Sequence, residues 1–160
     1  MTLKQARFTN LLLSGMLVGN EFGGWVAVHP ALSTLPPAAH IAAEQAVVRR
    51  YKAIMPFWMT VAIVSAIPVL ARVEDRQGTS FRLTLAGMSC FVAMLIVTFG
   101  GNMPINREVL ELSPDSPPPN WQQLRTRWDR FHTLRNLLNI AGLSCLILGA
   151  LVGSEREQAG

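Results

Sequence analysis

The residues of this 160-residue chain best suited to chemistry recur along one stretch near its C-terminus. Their spacing alternates between four and three, which places them on one face of a helix. The six residues are Trp121, Arg125, Trp128, His132, Arg135 and Asn139. Imidazole and guanidinium groups on a shared face can move protons and stabilise an anion. For Trp121 and Arg125 the alternative is an anchor at a membrane interface, whereas Arg135 and Asn139 need polar partners at greater depth.

A second polar set lies near the N-terminus, where Ser14, Glu21, Trp25 and His29 also recur at helical spacing. Glu21 lies about 12 Å from His29 along the helix axis, at roughly 1.5 Å per residue. A carboxylate within an apolar segment is costly unless it is paired or protonated, which makes it a candidate functional group. The alternative is a buried structural ion pair between Glu21 and Arg135, and such a pair could also belong to a site.

Two amides stand four residues apart, Asn102 and Asn106, and therefore share a helix face. They follow Gly100 and Gly101, which allow close approach of the backbone. Amides near the end of a helix commonly cap it. They could equally hold a carbonyl or hydroxyl group of a ligand, and the sequence leaves both roles open.

Glu21, His29 and His132 are of the ligand types that bind iron, copper or zinc, but no close-spaced motif such as His-Glu-x-x-His joins them. Histidines that are only hydrogen-bonded at an interface are the commoner case. The sequence also contains no Gly-rich phosphate loop, nucleophile elbow or Cys-x-x-Cys. Nucleotide cofactors, serine hydrolysis and thiol exchange therefore lose support.

Four long apolar runs must position these residues, at 8–28, 54–71, 83–105 and 136–152. The first run carries one charge, Glu21, and the other three carry none. A helix needs roughly 20 apolar residues to cross a ~30 Å hydrocarbon layer. Charged residues make up 15 % of the chain and its mean hydropathy is +0.30, whereas about a quarter of a soluble domain is charged. We therefore predict an all-α integral membrane four-helix bundle that forms a single domain over residues 1–160.

The segments between the runs are predicted to be largely helical. Residues 38–55 mix apolar and polar positions and predict an amphipathic helix that lies at the interface before it turns into the second span. The third span is expected to end within residues 100–106. The last helix is expected to run from Trp121 to about Gly153, close to 50 Å at ~1.5 Å per residue, and to project beyond the bilayer. Gly15, Gly19 and Gly23 are suited to helix packing.

Four spans put both chain termini on one side of the membrane, so that polar residues of different spans meet near the opposite leaflet. The residues expected to converge are Glu21, His29, Tyr51, Asn102, Asn106, His132 and Arg135. The basic N-terminus favours cytoplasmic termini in a bacterial inner membrane, although the count of Lys and Arg does not. The net charge of +4 comes from scattered residues, which indicates contact with a membrane surface and not with nucleic acid.

One block of sequence is distinctive. It consists of Asn102-Met103-Pro104-Ile105-Asn106, then Trp121, and then residues 125–135, with Trp128, His132 and Arg135. The block and the four-span layout over nearly the whole chain resemble the anthrone oxygenase-like family of small membrane proteins. The resemblance implies an oxidoreductase that oxidises a lipophilic anthrone-like, phenolic or polyketide substrate with molecular oxygen as co-substrate. It implies no flavin or haem, and it does not identify the substrate.

In such a reaction a base removes a proton from a flat aromatic substrate, and the resulting enolate reacts with oxygen. We expect His132 or Glu21 to act as the base and Arg135 to stabilise the oxyanion. The remaining expected substrate contacts are Asn102 and Asn106 beside the oxyanion, Trp25 and Trp128 stacked on the ring, and Tyr51 and Asn139.

Two other functions stay open at this point. One is a metal-dependent membrane oxidase, in which Glu21, His29 and His132 hold iron or copper. The other is an accessory subunit of a larger membrane complex, whose polar block is an interaction surface. The expected partners are the lipid bilayer and a small lipophilic substrate, and a homo-oligomer is compatible with the sequence.

Overall fold

A computed structural model describes the backbone of residues 1–159 and the side chains of residues 1–154. It is 85 % helical, and the described part of the chain contains no β-strand. Within these residues, four helices are long and apolar enough to cross a membrane: span 1 (Leu3–Leu32), span 2 (Pro37–Arg72), span 3 (Thr79–Glu111) and span 4 (Trp121–Ser154). The predicted all-α bundle of four spans is confirmed.

Each span is built from shorter helical segments. In chain order they are α1 (Leu3–Gly23), a π-helical segment (Gly24–Val28), α2 (His29–Leu32), α3 (Pro37–Val64), α4 (Ile67–Arg72), α5 (Thr79–Val97), a second π-helical segment (Thr98–Asn102), α6 (Met103–Glu111) and α7 (Trp121–Ala159). With 39 residues, α7 is roughly 58 Å long at 1.5 Å per residue. It therefore extends past a ~30 Å hydrocarbon layer, as the sequence predicted.

The two π-helical segments each end just before a proline. His29 N–H donates to the Gly24 carbonyl, and Met103 N–H donates to the Thr98 carbonyl. The following residues, Pro30 and Pro104, have no N–H, and a proline ring in an α-helix collides with the carbonyl four residues earlier. The wider π turn relieves that collision without ending the helix. Span 3 therefore does not end within residues 100–106, as the sequence analysis expected, but continues to Glu111.

Span 2 also differs from the sequence prediction in one respect. Residues 38–55 are helical, but they run without a turn into the apolar part of the span, because α3 is a single helix over Pro37–Val64. Pro56 lies inside this helix. The break comes instead after Val64, where Ser65 and the following residue form a turn ahead of Pro68 at the start of α4.

The bundle is apolar outside and carries many polar groups inside. Phe8, Phe57 and Ile96 are each 68 % exposed, whereas Asn102, Asn136 and Asn139 are 0 % exposed. Lipid is as apolar as these outer side chains, so their exposure costs nothing in a membrane. The polar interior requires internal partners, and it is here that a site can form.

Spans 3 and 4 pack closely. A Cβ atom added at Gly87 would lie 2.8 Å from the Gly142 carbonyl oxygen, so the missing side chains let the two backbones touch. Gly15, Gly19 and Gly23 behave differently, because a Cβ atom on any of them would meet nothing within 4 Å. These three glycines therefore do not serve packing within the chain, and their packing against another chain stays a prediction.

Candidate active site

The polar face predicted for the last helix points into the bundle. All six of its residues are buried, with exposed fractions between 0 % for Asn139 and 7 % for Arg135. An interfacial anchor would leave Trp121 and Arg125 exposed, but these two side chains are 2 % and 5 % exposed. The alternative that the sequence left open for them is therefore wrong.

Glu21 and Arg135 form the ion pair that the sequence allowed. Arg135 Nη2 donates to Glu21 Oε2, and both side chains are buried. His132 lies beside the pair, with its Nδ1 3.8 Å from the same carboxylate oxygen. Its other ring nitrogen, Nε2, lies 3.4 Å from the amide nitrogen of Asn136. The pair is structural, and it also lines the cavity described below.

A second buried carboxylate, Glu44, was missed by the sequence analysis. Its Oε1 atom lies 3.1 Å from His29 Nδ1, 3.2 Å from Arg125 Nη2 and 3.5 Å from His40 Nε2. The Glu44 side chain is 1 % exposed, so its charge is compensated by these groups and not by water. Arg125 also pairs with the exposed Asp129 at 3.0 Å.

A signal for Glu44 was present in the sequence. His40, Glu44 and Tyr51 are four and seven residues apart, which places them on one helix face. The assignment of residues 38–55 to the membrane interface made this face look solvated. Its polarity instead belongs to the interior, because span 2 packs this face against spans 1 and 4.

Trp128 contacts members of both buried charged groups, the one around Glu21 and the one around Glu44. The Arg125 guanidinium carbon is 4.4 Å from the centre of its ring, the His132 ring is stacked on it at 4.5 Å, and the His29 ring is 4.4 Å away. Such contacts are favourable for cations and imidazoles on an indole. They cover part of the ring, but Trp128 still lines the cavity, and its stacking on a substrate stays a prediction.

The two amides of span 3 hold Trp128 in place. Asn106 Oδ1 accepts a hydrogen bond of 2.7 Å from Trp128 Nε1. Asn102 Nδ2 donates to the Trp128 carbonyl oxygen over 3.1 Å. A Cβ atom on Gly101 would lie 2.5 Å from the Phe131 ring, so the glycine lets span 3 approach span 4 closely enough for these bonds. The amides cap no helix end with their side chains.

A cavity of about 230 Å³ lies between the four spans beside these groups. It is somewhat smaller than the roughly 300–1,000 Å³ of typical ligand sites, and it suits a small, flat ligand. Seven of the predicted site residues line it: Glu21, His29, Tyr51, Asn106, Trp128, His132 and Arg135. Some lining residues are also exposed at the outer surface: Val28 by 45 %, Tyr51 by 38 % and Phe99 by 54 %. The cavity therefore opens on the apolar outer surface.

Three predicted substrate contacts lie outside the cavity lining. Trp25 Nε1 donates to Thr133 Oγ1 over 3.1 Å, which ties span 1 to span 4. Asn102 is fully buried against Trp128. Asn139 is also fully buried, and neither its Oδ1 nor its Nδ2 has a hydrogen-bond partner. Helical spacing gave the correct face for Asn139, but it lies one turn too deep to reach the cavity.

Gly24 lies beside both histidines. A Cβ atom on this residue would lie 3.8 Å from His132 Nε2 and 4.0 Å from His29 Nε2. Gly24 also lines the cavity. The backbone of the first π-helical segment therefore lies beside both imidazole rings at the edge of the cavity.

The predicted metal ligands come close to one another without forming a metal centre. The His29 and His132 ring centres are 5.1 Å apart, and Glu21 is committed to Arg135. Among the residues that the structure describes, no group of three or more His, Cys, Asp or Glu side chains is arranged to hold a metal ion.

A model of the anthrone oxygenase family matches residues 45–145, well over half of the chain. The chain belongs to the anthrone oxygenase family. This family match includes Asn106, Trp128, His132 and Arg135 of the cavity, but it begins directly after Glu44. No curated protein and no solved structure matches the chain.

Proposed function

We propose that this member of the anthrone oxygenase family is a membrane-embedded oxygenase that oxidises a lipophilic aromatic substrate with molecular oxygen. The observation that carries the proposal is a cavity with apolar walls into which a carboxylate-bound histidine and an arginine both project. The cavity opens toward lipid, so a flat, apolar phenol or anthrone can reach it without crossing water. The family supports oxygen as the second substrate.

His29 is the proposed base. A carboxylate only accepts hydrogen bonds, so the 3.1 Å contact with Glu44 places the proton of a neutral His29 on Nδ1. The lone pair then lies on Nε2, which has no hydrogen-bond partner among the described residues and lies close to the Gly24 side of the cavity. Carboxylate-bound histidines of this kind are effective bases, because the carboxylate fixes the tautomer and stabilises the imidazolium that forms.

The two residues that the sequence proposed as base are less free to accept a proton. Glu21 is held by the Arg135 guanidinium. His132 faces the Asn136 amide through Nε2 and Glu21 through Nδ1. We propose that His132 and Glu21 instead position Arg135 and close the polar end of the cavity.

Arg135 is the proposed oxyanion partner. It lines the cavity, it is 7 % exposed, and its Nε has no hydrogen-bond partner. A fixed cation in a site of low polarity stabilises developing negative charge strongly. Removal of a proton by His29 would give an enolate whose oxygen faces Arg135. The enolate then reacts with O₂, so that one oxygen atom enters the new carbonyl group and the other leaves as water.

The test is turnover of anthrone by the purified protein in detergent micelles. We expect one O₂ consumed for each anthraquinone formed, at a rate above that of heat-inactivated protein, because anthrone also oxidises slowly without a catalyst. His29→Gln should remove the base and abolish the catalysed rate, and Arg135→Ala should do the same. Arg130→Gln replaces an exposed residue of span 4 and should leave the rate unchanged. Full activity of a folded His29→Gln variant would refute the assignment of the base.

A further inference from the structure

Two cations that the proposed chemistry does not use border the opening of the cavity. Lys52 on span 2 and Arg107 on span 3 both line the cavity, and both side chains are exposed. Neither side chain forms an ion pair or a hydrogen bond with any group in the described part of the chain. They approach one opening from two different spans.

The charges deeper in the cavity compensate one another. Glu21 is paired with Arg135, and Glu44 is paired with Arg125. Lys52 and Arg107 are therefore uncompensated, and the cavity carries an excess of positive charge at its opening. An excess of one sign along an apolar cleft attracts a ligand of the opposite sign.

The positions of the two cations fit a ligand with a charged end. Lys52 precedes the apolar run 54–71 by two residues, and Arg107 follows the apolar run 83–105 by two residues. Both cations therefore lie at the boundary between the apolar layer and the headgroups, where basic side chains are favourable. The walls of the same cavity carry apolar side chains such as Met55 and Phe99.

We propose that Lys52 and Arg107 form an anion subsite, and that the preferred substrate is an aromatic compound with a carboxylate at one end. The ring enters the apolar part of the cavity, and the carboxylate stays at the opening between the two cations. That the ring is a substrate rests on the proposed function. The phosphate of a lipid headgroup has the same chemistry and could occupy the same subsite.

The experiment compares the binding of a hydroxyanthraquinone carboxylate with that of its methyl ester. Dissociation constants are measured by titration calorimetry in maltoside micelles, which contain no phosphate. We expect the carboxylate to bind about tenfold more tightly, which corresponds to roughly 1.4 kcal/mol. In Lys52→Gln/Arg107→Gln the ratio should fall to about one, while the affinity of the ester stays unchanged.

The matched control is Arg49→Gln/Arg50→Gln, which removes the same amount of charge from exposed positions that do not line the cavity. It should keep the tenfold preference. Phosphatidylglycerol added to the micelles separates the two sources of anion. If it weakens binding of the carboxylate and not of the ester, the subsite also takes lipid phosphate. If it has no effect, the subsite selects the soluble carboxylate.

Three results would overturn the inference: equal binding of acid and ester to the unmodified protein, a preference that survives Lys52→Gln/Arg107→Gln, or no binding of either compound. Binding is measured without turnover, so these results are independent of catalysis. A protein that oxidises neutral anthrone but shows no preference would retain the proposed function and lose only the anion subsite. A protein that prefers the carboxylate but oxidises no anthrone would retain the anion subsite and lose the proposed function.

Discussion

Replacement of Glu44 by Gln tests the link between the buried charge cluster and the proposed base. The change keeps the shape of the side chain but removes the negative charge that contacts His29, His40 and Arg125 at 3.1, 3.5 and 3.2 Å. Loss of one partner of a buried ion pair usually costs about 3–5 kcal/mol. Arg125 keeps Asp129 as a partner at 3.0 Å, so we expect the lower end, about 3 kcal/mol. That corresponds to a decrease in Tm of roughly 6–12 °C.

The expected effect on catalysis follows from the bond between Glu44 and His29. A hydrogen bond to a charged group contributes about 1.5–3 kcal/mol, and the charge of Glu44 would stabilise the His29 imidazolium that forms when the base accepts a proton. Each 1.36 kcal/mol changes a rate about tenfold. We therefore expect kcat to fall about 10- to 100-fold with KM nearly unchanged, because Glu44 acts on the base and not on substrate binding.

The assay is oxygen consumption with anthrone at a temperature well below the Tm of the variant, measured by scanning fluorimetry in the same micelles. Asp129→Asn is the control, since it removes the exposed partner of Arg125 and leaves Glu44 in place. It should lower stability by no more than about 1 kcal/mol and leave kcat unchanged. An unchanged kcat in folded Glu44→Gln, or an equal loss in Asp129→Asn, would show that Glu44 does not act through His29.

Two further predictions concern stability. Gly101→Ala should lower the Tm, because the new Cβ atom would lie 2.5 Å from the Phe131 ring and such overpacking costs about 1–3 kcal/mol. The control is Gly15→Ala, whose Cβ atom would meet nothing within 4 Å and which should raise the Tm or leave it unchanged. A lower Tm in both variants would contradict this explanation. Glu21→Gln should lower the free energy of unfolding by about 3–5 kcal/mol in thermal unfolding, because it leaves the Arg135 guanidinium buried without its carboxylate. A decrease of less than about 1 kcal/mol would contradict this reasoning, because it would mean that lipid or water already compensates the charge of Arg135.

The sequence predicted the spans because their signal is local. Uncharged runs of about 20 residues have few alternatives to a membrane helix, since every backbone polar group must be satisfied within the apolar layer. The 3.6-residue period also sufficed for the face of span 4, where all six predicted residues are buried. The pairing of Glu21 with Arg135 was foreseeable for the same reason, since two opposite charges within apolar helices have few other partners.

The tertiary structure decided what the local pattern could not. The π-helical segments before Pro30 and Pro104 keep spans 1 and 3 continuous, although prolines and glycines in sequence indicate an end. Amphipathic spacing in residues 38–55 is the same for a helix on a membrane surface and for one packed against a polar interior. Only the packing of span 2 against its neighbours buries Glu44 beside His29. That contact moves the proposed base from His132 or Glu21 to His29. Periodicity fixes which residues share a helix face, but the depth and the partner of each residue depend on how separate helices meet.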